Sequence, residues 1–220
     1  MKILITDDHA VVRQGYASLL SVMLAPCEVV EAESGEEACM RCVAHRPDMM
    51  ILDINLPGIS GIETARRILK RDPDARILFF SMYDEMPMVQ QALDCGALGY
   101  ITKSSSPEVL IEAVRKVAVG QIYVEHELAM RLAMRQQPKT VSDQRLQEMT
   151  QREFEVFVML ARGFSVKAVA EQLCISAKTV SNYTAMLKSK LEVDSTTELV
   201  HLAIETGVLK VGAGEGVVEG

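Results

Sequence analysis

Short apolar runs alternate with segments of helical periodicity through the first half of the chain. The run Met49–Leu52 is continuously apolar, a pattern typical of a parallel strand that is covered on both faces. Comparable strand-like runs occur at Lys2–Thr6, Glu28–Ala32, Arg76–Ser81 and Leu98–Thr102. Because a segment with helical spacing follows each run, the pattern predicts an α/β fold with a doubly wound, five-stranded parallel sheet over residues 1–122.

The second half of the chain has only helical periodicity. Residues 123–148 are mostly polar and contain the linker-like stretch Pro138–Asp143, so they are predicted to form a linker. Residues 149–209 predict a small all-α domain, and its helices are Phe154–Ala161, Val166–Leu173, Ala177–Leu191 and Leu199–Thr206. The Gly-rich residues 210–220 are expected to form a flexible tail.

Side chains that can carry chemistry follow the ends of the predicted strands. Asp7 and Asp8 follow the first strand, Asp53 follows the third, Ser81 ends the fourth and Lys103 follows the fifth. Parallel topology brings these strand ends to one edge of the sheet. Carboxylates that lie close together repel one another, and a hard cation such as Mg²⁺ relieves that repulsion. A carboxylate beside a metal ion, a hydroxyl and an ammonium group can accept a phosphoryl group, so Asp53 is predicted to be the nucleophile.

Composition narrows the classes of protein that the chain can represent. The net charge of −7 over 220 residues argues against a protein that coats nucleic acid. No apolar run approaches the roughly 18 residues that a membrane span needs, so no membrane association is expected. The five cysteines are an odd number without framework spacing, which favours the reducing cytoplasm. Cys39 and Cys42 form a C-x-x-C motif inside a helical pattern and are predicted to be small core residues.

The all-α segment contains a second candidate site. The predicted helices Val166–Leu173 and Ala177–Leu191 have the dimensions of a helix-turn-helix unit. Val180, Leu187 and Leu191 are predicted to face the core, whereas the polar side of the second helix carries lysines and no acid. The residues on this helix that could meet phosphates or base edges are Lys178, Thr179, Ser181, Asn182, Tyr183, Lys188 and Lys190. Taken alone, the same pattern also fits an ordinary solvated helix.

Residues 1–122 resemble the receiver domain of bacterial two-component response regulators. The resemblance rests on Asp7-Asp8, Asp53, Leu56-Pro57-Gly58, Ser81, Gly96-Ala97, Gly99-Tyr100 and Lys103. It implies a flavodoxin-like fold in which Asp53 is the phosphoacceptor. It also implies that Mg²⁺ is held by Asp7, Asp8, Asp53 and the backbone carbonyl of Asn55.

The same resemblance assigns roles to three further residues. Ser81 and Tyr100 would form a switch pair, in which the hydroxyl moves to the phosphoryl group and the ring rotates inward. Lys103 would pair with the phosphoryl oxygens. Met82 departs from the family pattern, because the family commonly has a small residue after the switch hydroxyl.

Residues 149–209 resemble the DNA-binding domain of the LuxR/NarL/FixJ type. The motifs that carry this resemblance are Met149–Val156, Leu160–Gly163, Val169–Leu173, Ile175-Ser176, Lys178–Val180 and Lys190–Val193. The resemblance implies that Ala177–Leu191 is a recognition helix in the major groove and that Leu199–Thr206 is a dimerisation helix. Ser181 and Tyr183 depart from the family, which often has a basic residue and a histidine at these positions.

The main hypothesis is a cytoplasmic, DNA-binding transcription regulator that is not an enzyme. A sensor histidine kinase or a small phosphodonor would phosphorylate Asp53 and thereby alter dimerisation and promoter binding. A homodimer is expected, because paired half-sites need two recognition helices a helical turn apart. The partner kinase, the signal, the promoter sequence and the sign of regulation are open at this stage, as are the dimer surface and any masking of the DNA-binding helix.

Two other hypotheses fit part of the pattern. A phosphatase with a catalytic aspartate, as in haloacid-dehalogenase-type enzymes, would have its nucleophile on the first strand, at Asp7 or Asp8, but the sequence contains no recognisable substrate cap. A regulator that works without phosphorylation would use the acidic residues only structurally. The complete set of strand-end residues, including Lys103, argues against this last hypothesis.

We predict that Met82 slows phosphorylation by small donors, because a bulky side chain after Ser81 restricts access to the phosphoryl site. The variant Met82→Ala is then expected to react faster with acetyl phosphate than the wild type, as measured by the rate at which a phosphoryl adduct accumulates. Equal rates in the two proteins would contradict this prediction.

Overall fold

The computed structural model describes residues 1–134, 145–146, 149–173 and 175–209. The chain divides into two compact units, Met1–Gln136 and Gln137–Gly220. The predicted linker stretch Pro138–Asp143 and the predicted tail 210–220 lie outside the described residues. Within the described ranges, no helix has both the length and the apolar character that a bilayer crossing requires.

A parallel sheet forms the centre of the first unit. Its strands are β1 (Lys2–Thr6), β2 (Glu28–Ala32), β3 (Met49–Leu52), β4 (Ile77–Ser81), β5 (Gly99–Thr102) and β6 (Tyr123–Val124). They lie in the order β2-β1-β3-β4-β5-β6, and every neighbouring pair is parallel. The doubly wound parallel sheet is confirmed, but the predicted strand count of five is wrong. The sixth strand lies at the start of the predicted linker and is only two residues long, too short to show a strand pattern in the sequence.

Helices connect the strands and continue beyond the sheet. They are α1 (Ala10–Met23), α2 (Gly35–His45), α3 (Gly61–Arg71), α4 (Met86–Asp94), α5 (Pro107–Ala118) and α6 (His126–Met134). The side chains of Ser34 and Ser60 cap α2 and α3 by accepting hydrogen bonds from the backbone N–H groups three residues on. Prolines at the first turns of α4 and α5 supply a backbone angle that suits a helix start.

The core of the first unit covers both faces of the sheet. Ile5, Ile51 and Phe80 point to one face, where they pack with Leu20 of α1 and Val114 of α5. Alternate strand residues point to the other face and are also buried, including Leu4, Met50, Leu52 and Phe79. This double burial explains why the strands are almost continuously apolar.

Cys39 and Cys42 lie on α2, beside α3, and are half-buried rather than part of the core. Burial raises the pKa of both thiols, so they stay protonated at neutral pH.

The loop between β3 and α3 is fixed by close backbone contacts. Gly61, the first residue of α3, lies so near to Asp53 that a Cβ atom at this position would sit 1.9 Å from the Asp53 carbonyl oxygen. Gly58 has a φ of +75° and lies against the Glu36 carboxylate, which also accepts a hydrogen bond of 3.1 Å from the Ile59 N–H. The backbone that carries Asp53 is therefore held in one position.

The second unit is helical throughout its described part. Its helices are α7 (Gln151–Ala161), α8 (Val166–Gln172), α9 (Ala177–Leu191) and α10 (Thr196–Glu205). Thr150 and Glu153 form a reciprocal capping box at the start of α7, and serine side chains cap the other three helices. Phe154 and Phe157 pack with their ring centroids 6.2 Å apart, and both are fully buried.

Candidate functional site

Four of the sequence-predicted residues meet at the carboxyl edge of the sheet. Asp7 follows β1, Asp53 follows β3, Ser81 ends β4 and Lys103 follows β5. Asp7, Asp53 and Ser81 are at most 4% exposed. Backbone hydrogen bonds fix the strand ends: the Asp53 N–H donates to the Thr6 carbonyl at 2.9 Å, and the Lys103 N–H donates to the Ser81 carbonyl at 2.8 Å.

The Lys103 ammonium group bridges two carboxylates at this edge. Its Nζ lies 2.5 Å from Oδ2 of Asp53 and 2.6 Å from Oδ2 of Asp7. All three side chains are almost completely buried. Charge-assisted hydrogen bonds of this length are stronger than neutral ones, so Lys103 fixes the relative positions of the two acids.

Burial and the surrounding charges set the protonation of this group. Burial raises the pKa of Asp53, and Asp7 adds to this effect, while Lys103 opposes it without cancelling it. Burial lowers the pKa of Lys103, but Asp53 and Asp7 outweigh burial and leave that pKa above its ordinary value. The two acids therefore favour the charged form of Lys103, and further positive charge near Asp53 would favour the charged form of its carboxyl group.

The donor set at this edge fits a hard divalent cation. Asp7, Asp8 and His9 each place a potential ligand atom within 4.8 Å of the others. The Asp53 carboxylate accepts a hydrogen bond of 3.3 Å from the N–H of Asn55, whose carbonyl was the fourth predicted ligand. Carboxylate oxygens are among the ligands that Mg²⁺ prefers, so Asp7 and Asp8 supply donors of the predicted kind.

His9 was not among the sequence-predicted site residues. Its Nδ1 lies 2.8 Å from Oδ1 of Asp8 and 3.4 Å from Oδ1 of Asp7, and its backbone N–H donates to Asp7 at 2.8 Å. In the sequence, the only sign that His9 belongs to this site is that it directly follows Asp7 and Asp8.

The predicted switch residues lie next to the acidic group. Tyr100 is completely buried and donates a hydrogen bond of 2.8 Å from its hydroxyl to the Tyr83 carbonyl. Burial raises the pKa of Tyr100 well above its ordinary value, so the hydroxyl remains a donor. Ser81 is also buried, and its Oγ accepts a weak hydrogen bond of 3.4 Å from the Tyr83 N–H. The ring of Tyr100 thus occupies the inward position in this structure.

The second unit contains the predicted helix pair as α8 and α9. Cys174, in the turn between them, lies outside the described residues. Val180, Leu187 and Leu191 are buried, as predicted. The opposite side of α9 is exposed to solvent and bears no acidic residue.

The seven residues predicted for DNA contact differ in their exposure and in their contacts within the second unit. Lys178, Ser181 and Asn182 are exposed on the N-terminal half of α9, and Tyr183 is half-buried. The other three make contacts within the second unit: the Thr179 hydroxyl lies 2.8 Å from Oγ of Ser176, the Lys188 ammonium donates to the Asp194 carbonyl at 3.0 Å, and the Lys190 ammonium lies 3.1 Å from Oε2 of Glu153.

Comparisons with known proteins agree with this architecture. Residues 3–115 match the response regulator receiver domain, and residues 147–203 match the bacterial regulatory proteins of the luxR family. The chain is 51% identical over 214 residues to the transcriptional activator protein ExaE of Pseudomonas putida, covering 97% of this chain and all of ExaE. It is 32% identical over 208 residues to the response regulator UvrY of Escherichia coli K12, covering 94% of this chain and 95% of UvrY. A solved structure of RcsB from Salmonella typhimurium superposes with a TM-score of 0.57 at 25% identity, covering 91% of this chain and 96% of RcsB.

A receiver domain followed by a LuxR-type helix-turn-helix domain defines a class of DNA-binding transcriptional regulators. The chain belongs to this class, the LuxR-type response regulators of two-component systems.

The raised pKa of Asp53 leads to a prediction about stability. A carboxyl group whose pKa is higher in the folded than in the unfolded state contributes stability at low pH, and this contribution is lost as the pH rises through the folded pKa. We expect Asp53→Asn to raise the free energy of unfolding at pH 7 in the presence of a chelator. The gain should shrink as the pH falls into the ordinary carboxyl range, as measured by denaturant titration.

The exposed Asp74 provides a matched control, because Asp74→Asn removes the same charge from the surface. A variant Asp53→Asn that is less stable than the wild type at pH 7, or whose gain does not depend on pH, would contradict this prediction.

Proposed function

We propose that Asp53 is the phosphoacceptor of this response regulator and that a sensor histidine kinase or a small phosphodonor supplies the phosphoryl group. The observation that supports this proposal is the buried Lys103 ammonium, 2.5 Å from the Asp53 carboxylate and 2.6 Å from that of Asp7. An Asp53 carboxylate oxygen would attack phosphorus while the bond from phosphorus to the donor breaks, giving an aspartyl phosphate.

Several groups around Asp53 would neutralise the negative charge of the phosphoryl oxygens. Asp7, Asp8, Asp53 and the Asn55 carbonyl would hold Mg²⁺, which when bound neutralises charge on the phosphoryl oxygens. The Lys103 ammonium would pair with a second phosphoryl oxygen, and the Ser81 hydroxyl would donate to a third. The Lys103 ammonium lies 2.5 Å from the Asp53 carboxylate, so its part in this step would need little reorganisation.

The proposed switch uses Ser81 and Tyr100. The Ser81 hydroxyl would move to the phosphoryl group, and the inward position of the Tyr100 ring would then be favoured over an outward one. This change would alter the face formed by α3, α4 and α5 and thereby the pairing of two copies of the chain. A homodimer would place two α9 helices on paired half-sites.

The proposed role of the second unit is recognition of double-stranded DNA by α9 in the major groove. The exposed residues Lys178, Ser181 and Asn182, with Tyr183 beside them, form the best-supported contact surface. Three further residues of α9, Thr179, Lys188 and Lys190, would contact DNA phosphates. To do so they would have to exchange their present partners in the second unit for DNA. ExaE is described as a transcriptional activator, which supports a role in transcription rather than catalysis. A cytoplasmic location is part of the proposal.

Labelling with acetyl phosphate and Mg²⁺ tests the phosphoacceptor. We expect the wild type to gain a single phosphoryl adduct in an intact mass spectrum recorded under mild conditions. The variant Asp53→Ala should gain none, whereas the control Asp74→Ala should behave like the wild type. An adduct on Asp53→Ala would move the acceptor to another residue. No adduct on the wild type, either from acetyl phosphate or from a histidine kinase donor, would favour a regulator that works without phosphorylation.

A salt titration tests the DNA-binding surface. Each lysine that contacts a phosphate adds to the dependence of affinity on salt. Lys178→Ala should therefore weaken binding to duplex DNA of mixed sequence and reduce the slope of log affinity against log salt by about 1. Lys70→Ala, which removes an exposed lysine on α3, provides the control and should leave the slope unchanged. An unchanged slope in Lys178→Ala would contradict a phosphate contact by this residue.

A further inference from the structure

Glu125 completes the hydrogen bonding of β5 where β6 ends. The short strand β6 pairs Tyr123 with Gly99 and Val124 with Tyr100. The Glu125 N–H continues this ladder by donating to the Tyr100 carbonyl at 3.1 Å. In a parallel ladder, the next N–H of β5, that of Thr102, would donate to a backbone carbonyl. Here it donates instead to Oε2 of the Glu125 side chain, at 3.0 Å.

The same carboxylate oxygen holds the Thr102 side chain. The Thr102 hydroxyl donates to Oε2 of Glu125 at 2.9 Å. This hydroxyl also lies 2.9 Å from Oγ of Ser104 and 3.1 Å from Oγ of Ser105, while the Ser105 N–H donates to the Thr102 carbonyl at 3.1 Å. Thr102 is buried, so these bonds are shielded from water. Glu125 therefore fixes Thr102, the residue directly before Lys103, and so orders the turn that carries Lys103.

The position of the Lys103 ammonium depends on this turn. Its contacts with Asp53 and Asp7 are short, and small displacements of the backbone at Thr102 would lengthen them. Hydrogen bonds to an ionised acceptor are about twice as strong as those between neutral groups. A single carboxylate can therefore fix both the N–H and the hydroxyl of Thr102.

A second contact joins the same segment to the loop after β4. The Arg131 guanidinium of α6 lies 2.9 Å from Oδ2 of Asp84. Asp84 follows Tyr83, whose carbonyl accepts the hydrogen bond from Tyr100. The segment from Tyr123 to Met134 therefore contacts both loops that carry proposed switch or phosphoryl-binding residues.

We propose that Glu125 is a positioning residue for phosphoryl transfer to Asp53, acting through Thr102 on Lys103. This inference rests on the proposed role of Asp53. It also assigns a function to Glu125, the first residue after β6.

The rate of labelling by acetyl phosphate tests this inference in the full chain. Glu125→Ala removes both hydrogen bonds to Thr102, and we expect it to slow labelling roughly tenfold, since small misplacements of a reacting group are costly. In Glu125→Gln the amide oxygen can still accept both bonds, so the rate should stay within about twofold of the wild type. Glu127→Ala removes the same charge from an exposed residue of α6 and should label like the wild type.

A double-mutant cycle with Lys103→Met separates positioning from a general loss of structure. If Glu125 acts through Lys103, Glu125→Ala should slow labelling less than about twofold in the Lys103→Met background, because coupled residues are not additive. A further loss of the full tenfold in that background would overturn the inference, as would a Glu125→Gln variant as slow as Glu125→Ala. A wild type that gains no adduct would instead refute the proposed role of Asp53, whereas normal labelling of both the wild type and Glu125→Ala would refute the role of Glu125 alone.

Discussion

The buried Lys103 ammonium between the carboxylates of Asp7 and Asp53 is the interaction on which the rest of the first unit depends. Without the ammonium, two carboxylates at this depth would repel each other, and removing the cation, which leaves uncompensated buried charge, typically costs about 3–5 kcal/mol. Lys103 and Asp53 are 50 positions apart in the chain. The parallel strand order brings them together, because β1, β3 and β5 all end at the same edge. In their charged forms, Asp7, Asp53 and Lys103 together carry one net negative charge, which a further cation would neutralise.

Much of this arrangement could be predicted from the sequence. The parts that could not be predicted have one physical reason in common. The strands β1 to β5 are apolar runs bounded by helical segments, so their pattern and parallel topology together placed Asp7, Asp53, Ser81 and Lys103 at one edge. The strand β6 is defined by pairing and not by composition, so its two residues gave no signal. The same holds for Glu125 with Thr102 and for Lys190 with Glu153, because side-chain pairs distant in sequence depend on the three-dimensional packing of their elements.

The three lysines of α9 differ in their contacts within the second unit. Three lysines lie on α9, yet the ammonium groups of Lys188 and Lys190 bind a carbonyl and a carboxylate of the same unit. The exposed N-terminal half of α9 is left with Lys178 and uncharged polar side chains. In a chain with a net charge of −7, weak electrostatic attraction to DNA would make binding depend on pairing of two copies.

Chemical mapping of the phosphoryl group tests whether Asp53 is the phosphoacceptor. An aspartyl phosphate is an acyl phosphate, and sodium borohydride reduces it to homoserine, which peptide mass spectrometry locates in the chain. After treatment of the protein with acetyl phosphate and Mg²⁺, phosphorylation of Asp53 predicts homoserine at position 53 and at no other aspartate. Homoserine at position 7 or 8 would contradict phosphorylation of Asp53 and would support an aspartate nucleophile that follows the first strand. A stable adduct that yields no homoserine would exclude an aspartyl phosphate altogether.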